Sequence, residues 1–351
     1  MICPHCNQNL LYKERPDRTC SKCHRRFALD PKTNSLGLSD IRIHRLTSKL
    51  TDGGQLKITL DQLGAAALRK HRKSSESGIA AAIGCMAIGV PVGVGLLAIG
   101  SIADDNASFT TFLGIAILFF VVVTVVSNLR RGRRRPTDTR MKAFRSALLT
   151  DWKQQYHSLP QGVVDAAPRQ GAGANRPEVA RVALLCPEPA VLTFLAANDI
   201  PERYGIALAA ESRQLPDTLP VLVLHDASAA GCRLVVRTRQ ELPGRRVIDA
   251  GLPPRAVMNV KDAPTVRVAR PARDLIAWLA ESSTLTKDEL DWLAKGWTVP
   301  LIGVRPTRLI EAVTRTAHRV ATMNEADPVR RRAEALGFLT WPGGSGGEAA
   351  R

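Results

Sequence analysis

The chain opens with two Cys-x-x-Cys pairs, Cys3-Pro-His-Cys6 and Cys20-Ser-Lys-Cys23, separated by 13 residues. No other feature restricts the fold as tightly. Each turn puts two thiols on one side of a tight loop, and a short hairpin between the turns joins the pairs into a four-sulfur shell. Such a shell is what a tetrahedral Zn2+ takes in closed structural sites. Cys3, Cys6, Cys20 and Cys23 are therefore the expected ligands of one structural zinc per chain, with residues 10–12 and 25–29 as flanking strands. His5 and His24 stand beside the ligands, but four thiolates already fill the shell. Cys85, Cys186 and Cys232 are scattered singly, which is no secreted disulfide framework and points to a reducing compartment.

This arrangement resembles a zinc ribbon over residues 1–36. A ribbon of that size buries too little surface to stand alone, so the metal acts as its staple. The segment 37–75 reads as a small basic helical pair. Ser39 and Thr59 are its candidate caps, and Asp52-Gly53-Gly54 breaks the chain between the helices. Residues 1–73 hold 15 Lys or Arg against six Asp or Glu, and the whole chain carries a net charge of +17. That excess favours an anionic partner, nucleic acid or an anionic surface. Aromatic residues for base stacking are sparse in the ribbon, only Tyr12 and Phe27.

Two uncharged apolar runs follow, 79–103 and 109–129, each long enough for a helix across roughly 30 Å of hydrocarbon. They predict a two-helix transmembrane hairpin over 79–129, closed by the acidic turn at 104–108. Basic clusters at 69–73 and 130–135 place both termini in the cytoplasm, at the inner membrane. Gly89 and Gly93 form a small-xxx-small face suited to self-association. The span 137–157, with Met141, Phe144, Leu148 and Trp152 at helical spacing, reads as a juxtamembrane helix, either lying on lipid or extending the second membrane helix into the cytoplasm. Residues 161–177 read as a linker.

Residues 178–342 alternate short apolar runs with helical segments, the pattern of a parallel α/β domain. PVLVL at 220–224 is its central strand, and HDASAAG after it is a strand-to-helix turn. Glu188 follows the first strand and Asp226 the central one. This order looks like a Toprim domain, notably that of the DNA-cleaving subunit of type IIB topoisomerases. The resemblance implies a Mg2+ site made of a glutamate and an Asp-x-Asp, onto which Glu188 and Asp226 map. Ser228 stands where the second aspartate belongs. The local alternative is structural, with Asp226 or Ser228 capping the following helix and Glu188 favoured by a helix dipole. Thr286 with Glu289 forms a capping box, residues 308–323 an amphipathic helix, and 343–351 a disordered tail.

The expected fold class is thus a multi-domain membrane protein with a zinc ribbon, a transmembrane hairpin and a C-terminal α/β domain of Rossmann or Toprim type. The expected function is binding or scaffolding, holding a protein or nucleic-acid partner at the cytoplasmic face of the bilayer. A membrane-tethered Toprim-type nuclease and a small-molecule sensor using the α/β cleft are the alternatives. No nucleophile elbow, Walker loop or His-based metal motif is present.

Overall fold

The computed structural model describes residues 1–69, 115–116, 137–165, 177–261 and 263–325. The chain forms two compact units, Met1–Lys49 with Leu60–Val163, and Leu50–Thr59 with Val164–Arg351.

In the first unit the two cysteine knuckles lead into helices α1 (Asp40–Leu50), α2 (Leu60–Ala67) and α3 (Thr137–Ala147). The last runs on through a π turn, Leu148–Trp152, into Lys153–Tyr156. Phe144, Leu148 and Trp152 recur every four residues and are buried, as one face of a helix should be. That face packs inside the protein rather than on lipid. A Cβ at Gly64 of α2 would lie 2.5 Å from Met141 Sδ and 2.8 Å from Phe144, so α2 meets α3 at a position only glycine permits. Arg145 pairs with Asp61 at 2.9 Å across the same contact. The carboxylate of Asp40, fully buried, accepts the N–H of Ala28 (2.8 Å), the N–H of Leu29 (2.7 Å) and the hydroxyl of Tyr156 (2.5 Å). One side chain at the start of α1 thereby ties the exit of the knuckle segment to the end of α3. Burial pushes its pKa up against these three donors.

The expected ribbon strands do not form as such. The knuckles carry isolated antiparallel bridges, Ile2 to Asn9 and Thr19 to Arg26. Residues 12–14 instead make a 3-10 turn, as do 16–18. In the segment joining the expected strands, Pro16 lacks a ladder donor and Asp17 and Arg18 take positive φ of 49° and 62°, so the chain turns there instead of extending a strand.

The second unit holds a four-stranded parallel sheet, β1 (Val182–Leu185), β2 (Ile206–Ala209), β3 (Val221–Val223) and β4 (Val247–Asp249), in the order β2-β1-β3-β4. Its register pairs Val182 with Ile206, Ala183 with Val221 and Val221 with Val247. β1, β2 and β3 are buried along their whole length, the property of a sheet covered on both faces. After β1 come α4 (Pro189–Ala197) and α5 (Ile200–Tyr204), and after β3 comes α6 (Ala229–Glu241). Then follow α7 (Arg273–Ser282), α8 (Lys287–Ala294) and α9 (Pro306–Glu325). Of these, α5 packs on β2, α6 on β3 and β4, and α9 on β1. The capping box of Thr286 and Glu289 forms at α8 as the sequence predicts. A short antiparallel pair, β5 (Val266–Arg267) and β6 (Trp297–Thr298), is followed by a 3-10 turn.

The structure corrects the expected membrane hairpin, and with it the membrane fold class and the inner-membrane location. Among the described residues no helix is long and apolar enough to cross a membrane. The runs 79–103 and 109–129 lie outside the described residues except for Ile115 and Ala116, as do Gly89 and Gly93. An uncharged run is a matter of composition. A span needs an unbroken apolar helix of roughly 20 residues; among the described residues α9 has the length but is amphipathic, and none meets both conditions.

Candidate functional site

Four sulfurs meet in the first unit. The Sγ atoms of Cys3, Cys6, Cys20 and Cys23 all lie within 4.8 Å of one another. Cys3 to Cys23 and Cys6 to Cys20 are each 3.8 Å. A disulfide would hold its sulfurs at about 2.05 Å. A tetrahedron with metal–sulfur bonds of about 2.3 Å has edges of about 3.8 Å, so the observed spacing fits a metal shell.

The two knuckles repeat one backbone design. The N–H of His5 points at Cys3 Sγ and that of Lys22 at Cys20 Sγ, both at 3.4 Å. The N–H of Asn7 reaches the carbonyl of Cys3, and that of His24 the carbonyl of Cys20. Asn7 and His24 close the turns with φ of 57° and 54°. Donors aimed at sulfur favour thiolate, the form that binds metal. Burial raises the Cys20 thiol, but the N–H groups of Cys23 and Lys22 and the neighbouring thiols outweigh it and bring the pKa down to about 7. At Cys3 burial prevails and the thiol is pushed up to about 12. A four-thiolate set takes Zn2+ or an iron centre. A zinc ion held by all four sulfurs would have no position left open for substrate, as in closed sites.

His5 and His24 are not ligands. The His5 ring sits 6.1 Å from that of Tyr156, and its Nε2 meets the carbonyl of Arg26 at 2.9 Å. The first knuckle therefore faces its own unit. The second carries Lys22, His24, Arg25 and Arg26 exposed to solvent. In the loop between the knuckles Leu11 and Tyr12 are 70% and 51% exposed. Arg15 and Lys32 stand 5.5 and 4.9 Å from the Tyr12 ring.

In the second unit the strand order reverses between β1 and β3, the place where open α/β sheets hold ligands. Glu188 and Asp226 stand there, after the carboxyl ends of those two strands. The Cys186 thiol between them is pushed up to about 12, by burial first and then by both carboxylates. Both residues follow the strands, and Asp226 takes structural partners. Asp226 Oδ1 accepts the Ser228 hydroxyl at 2.7 Å, and Oδ2 accepts that of Thr298 at 3.4 Å. Ser228 Oγ in turn accepts the N–H of Gly231 at 2.9 Å and caps α6. Glu188 is the N-cap residue of α4, without a side-chain capping bond. Among the described residues the four cysteines are the one group of three or more metal-ligating side chains that converges. Ser228→Ala is expected to destabilise this unit by about 1 kcal/mol through loss of the cap. Denaturant unfolding followed by tryptophan fluorescence measures it, and an unchanged midpoint would refute the role.

Sequence reading missed a second arrangement, at the adjacent strand ends. His225, 2% exposed, directs Nδ1 to the carbonyl of Asp226 (2.7 Å) and Nε2 to Asp249 Oδ1 (3.0 Å). A carbonyl and a carboxylate only accept, so this geometry favours the ring protonated at both nitrogens, the imidazolium. Burial alone lowers the His225 pKa, but the bond to Asp249 and its charge outweigh that and raise it. Burial likewise raises Asp249, and His225 more than reverses it. Gly251 donates its N–H to the same Asp249 oxygen at 2.9 Å. A Cβ at Gly251 would lie 2.2 Å from the His225 ring, and one at Gly231 would lie 2.7 Å from Nδ1. The available signal was a histidine directly after PVLVL and an aspartate closing the next strand, β4.

No family model, curated protein or solved structure matches the chain.

Proposed function

We propose that the protein is a non-catalytic binding protein whose zinc-stapled, ribbon-like N-terminal module presents a basic face to an anionic partner, with nucleic acid as that partner. The observation that carries this is the asymmetry of the two knuckles. The first turns His5 onto Tyr156 of its own unit. The second, with the same backbone, leaves Lys22, Arg25 and Arg26 in solvent. Cations in solvent at fixed spacing on a rigid turn suit phosphate contacts. The half-exposed Tyr12 ring in the loop between the knuckles, with Arg15 and Lys32 against it, adds a stacking surface. An acidic protein would meet the same cations but has no bases to stack on Tyr12.

A Toprim-type nuclease draws less support. Both Asp226 oxygens are occupied by hydroxyl donors, and Ser228 supplies a neutral oxygen that is committed to a helix cap. Mg2+ sites rest on carboxylates free to meet the ion.

The test is fluorescence anisotropy of the full-length, zinc-loaded chain with a labelled single-stranded oligonucleotide over a salt series. About three phosphate contacts should give a slope of log K against log salt near −2. Lys22→Glu with Arg25→Glu should weaken binding about tenfold or more and flatten the slope, and Tyr12→Ala should weaken it with the slope unchanged. Binding indifferent to the charge reversals would refute the proposal, and capture of an acidic protein in place of the oligonucleotide would reassign the partner.

A further inference from the structure

The imidazolium–carboxylate pair of His225 and Asp249 forms the floor of a second feature. A cleft of about 70 Å3 opens above it at the carboxyl ends of β3 and β4, walled by α6, the loop from β4 to residue 255, and the turn between α7 and α8. Its charged lining is His225, Asp249, Glu289, Arg239 and Arg255, with Thr284 beside them.

The charges are not equally committed. Asp249 Oδ1 already accepts from His225 and from the Gly251 N–H. Glu289 is fully buried, and its oxygens accept the N–H of Arg255 (3.0 Å), the N–H of Thr286 (2.9 Å) and the Thr286 hydroxyl (3.2 Å). The oxygens of both carboxylates are thus hydrogen-bonded within the wall, and Asp249 is also paired with His225. The guanidiniums of Arg239 and Arg255 are exposed and make no hydrogen bond or ion pair among the described residues. Arg239 only adds its field to the forces that hold Asp249 ionised. A cleft whose anions are satisfied and whose free charges are two guanidiniums is electrostatically set for an anion. The volume is far below the roughly 300 Å3 of a pocket that encloses a whole drug-sized ligand. It matches the charged head of one.

We propose that this cleft binds a phosphoryl group, either inorganic phosphate or the terminal phosphate of a small ester, between Arg239 and Arg255. Bidentate guanidinium geometry suits tetrahedral oxyanions. The buried imidazolium below holds Asp249 neutralised, so the carboxylate does not repel the ligand. His225 is a positioning residue here, since it is too enclosed to touch the anion. The site lies in the α/β unit and does not depend on what the cysteine module binds.

Calorimetric titration of the full-length, zinc-loaded protein with inorganic phosphate, and separately with glycerol 3-phosphate, tests it at constant ionic strength in chloride. One saturable site per chain is expected. Arg239→Ala with Arg255→Ala, both solvent-facing changes, should weaken it about tenfold or more. Lys22→Glu with Arg25→Glu should leave it unaltered. Tighter binding of the ester would identify the ligand as a phosphorylated small molecule, and tighter binding of the free ion would identify phosphate itself; both support the site. No saturation in the millimolar range, or binding that survives the arginine double variant, would overturn it.

Discussion

Cys20→Ser is expected to release the bound metal and unfold the segment before α1, while the α/β unit keeps its unfolding transition. A serine oxygen is a poor replacement for thiolate in a soft four-sulfur shell. Binding of structural zinc contributes on the order of 10–16 kcal/mol to such modules, nearly all of their folding free energy. Here the knuckles enclose little else. Cys3, Leu10 and Cys20 are the buried members of their cluster, and two isolated bridges replace a sheet. The damage should stop near Phe27, because Ala28 and Leu29 are held independently by Asp40. Elemental analysis of the purified full-length chain should find about one zinc per wild-type chain and a large loss in the variant. Limited proteolysis should then cut within residues 1–27 of the variant only. Iron in place of zinc would reassign the ion but keep the site. A variant as metal-rich and protease-resistant as the wild type would refute it.

The cysteine shell was legible because ligand chemistry fixes both residue type and spacing, so Cys3, Cys6, Cys20 and Cys23 announce their meeting before any fold is known. The parallel sheet was legible for a related reason. Strands buried on both faces are continuous apolar runs, and 182–185, 206–209 and 221–223 are such runs. Amphipathic pattern alone carries less. Phe144, Leu148 and Trp152 did mark a face that must be covered, but a stripe does not say what covers it, and the cover is protein rather than lipid. The apolar runs at 79–129 predicted spans from composition alone, and no described helix supplies one. His225 and Asp249 were invisible for another reason. They stand 24 residues apart and meet only because the register sets Val223 opposite Asp249, which no local pattern encodes.

Asp249→Ala is expected to destabilise the α/β unit markedly, because it leaves the buried His225 ring without its counter-ion. Removing one member of a fully buried pair costs roughly 3–5 kcal/mol. The Asp249 side chain is 40% exposed, so solvent screening brings the expected loss to about 2 kcal/mol. His225→Gln should cost less, since the amide can still donate to one of the two acceptors. The pH dependence separates an ionic clip from simple packing. The His225 pKa is raised in the folded state above its ordinary 6.5, so its contribution is fully present below 6.5 and fades as pH rises through the folded value. Asp249 is lowered below its ordinary 3.8, so its contribution is present above 3.8 and fails only in stronger acid. The pair therefore stabilises most between about pH 4 and 6.5. The stability difference between wild type and His225→Gln, measured by denaturant unfolding of the full-length chain, should shrink from pH 6 towards pH 9. Because the metal site is common to both proteins, its own titration cancels in that difference. A difference that stays constant across this range would mean that His225 is neutral and only packs.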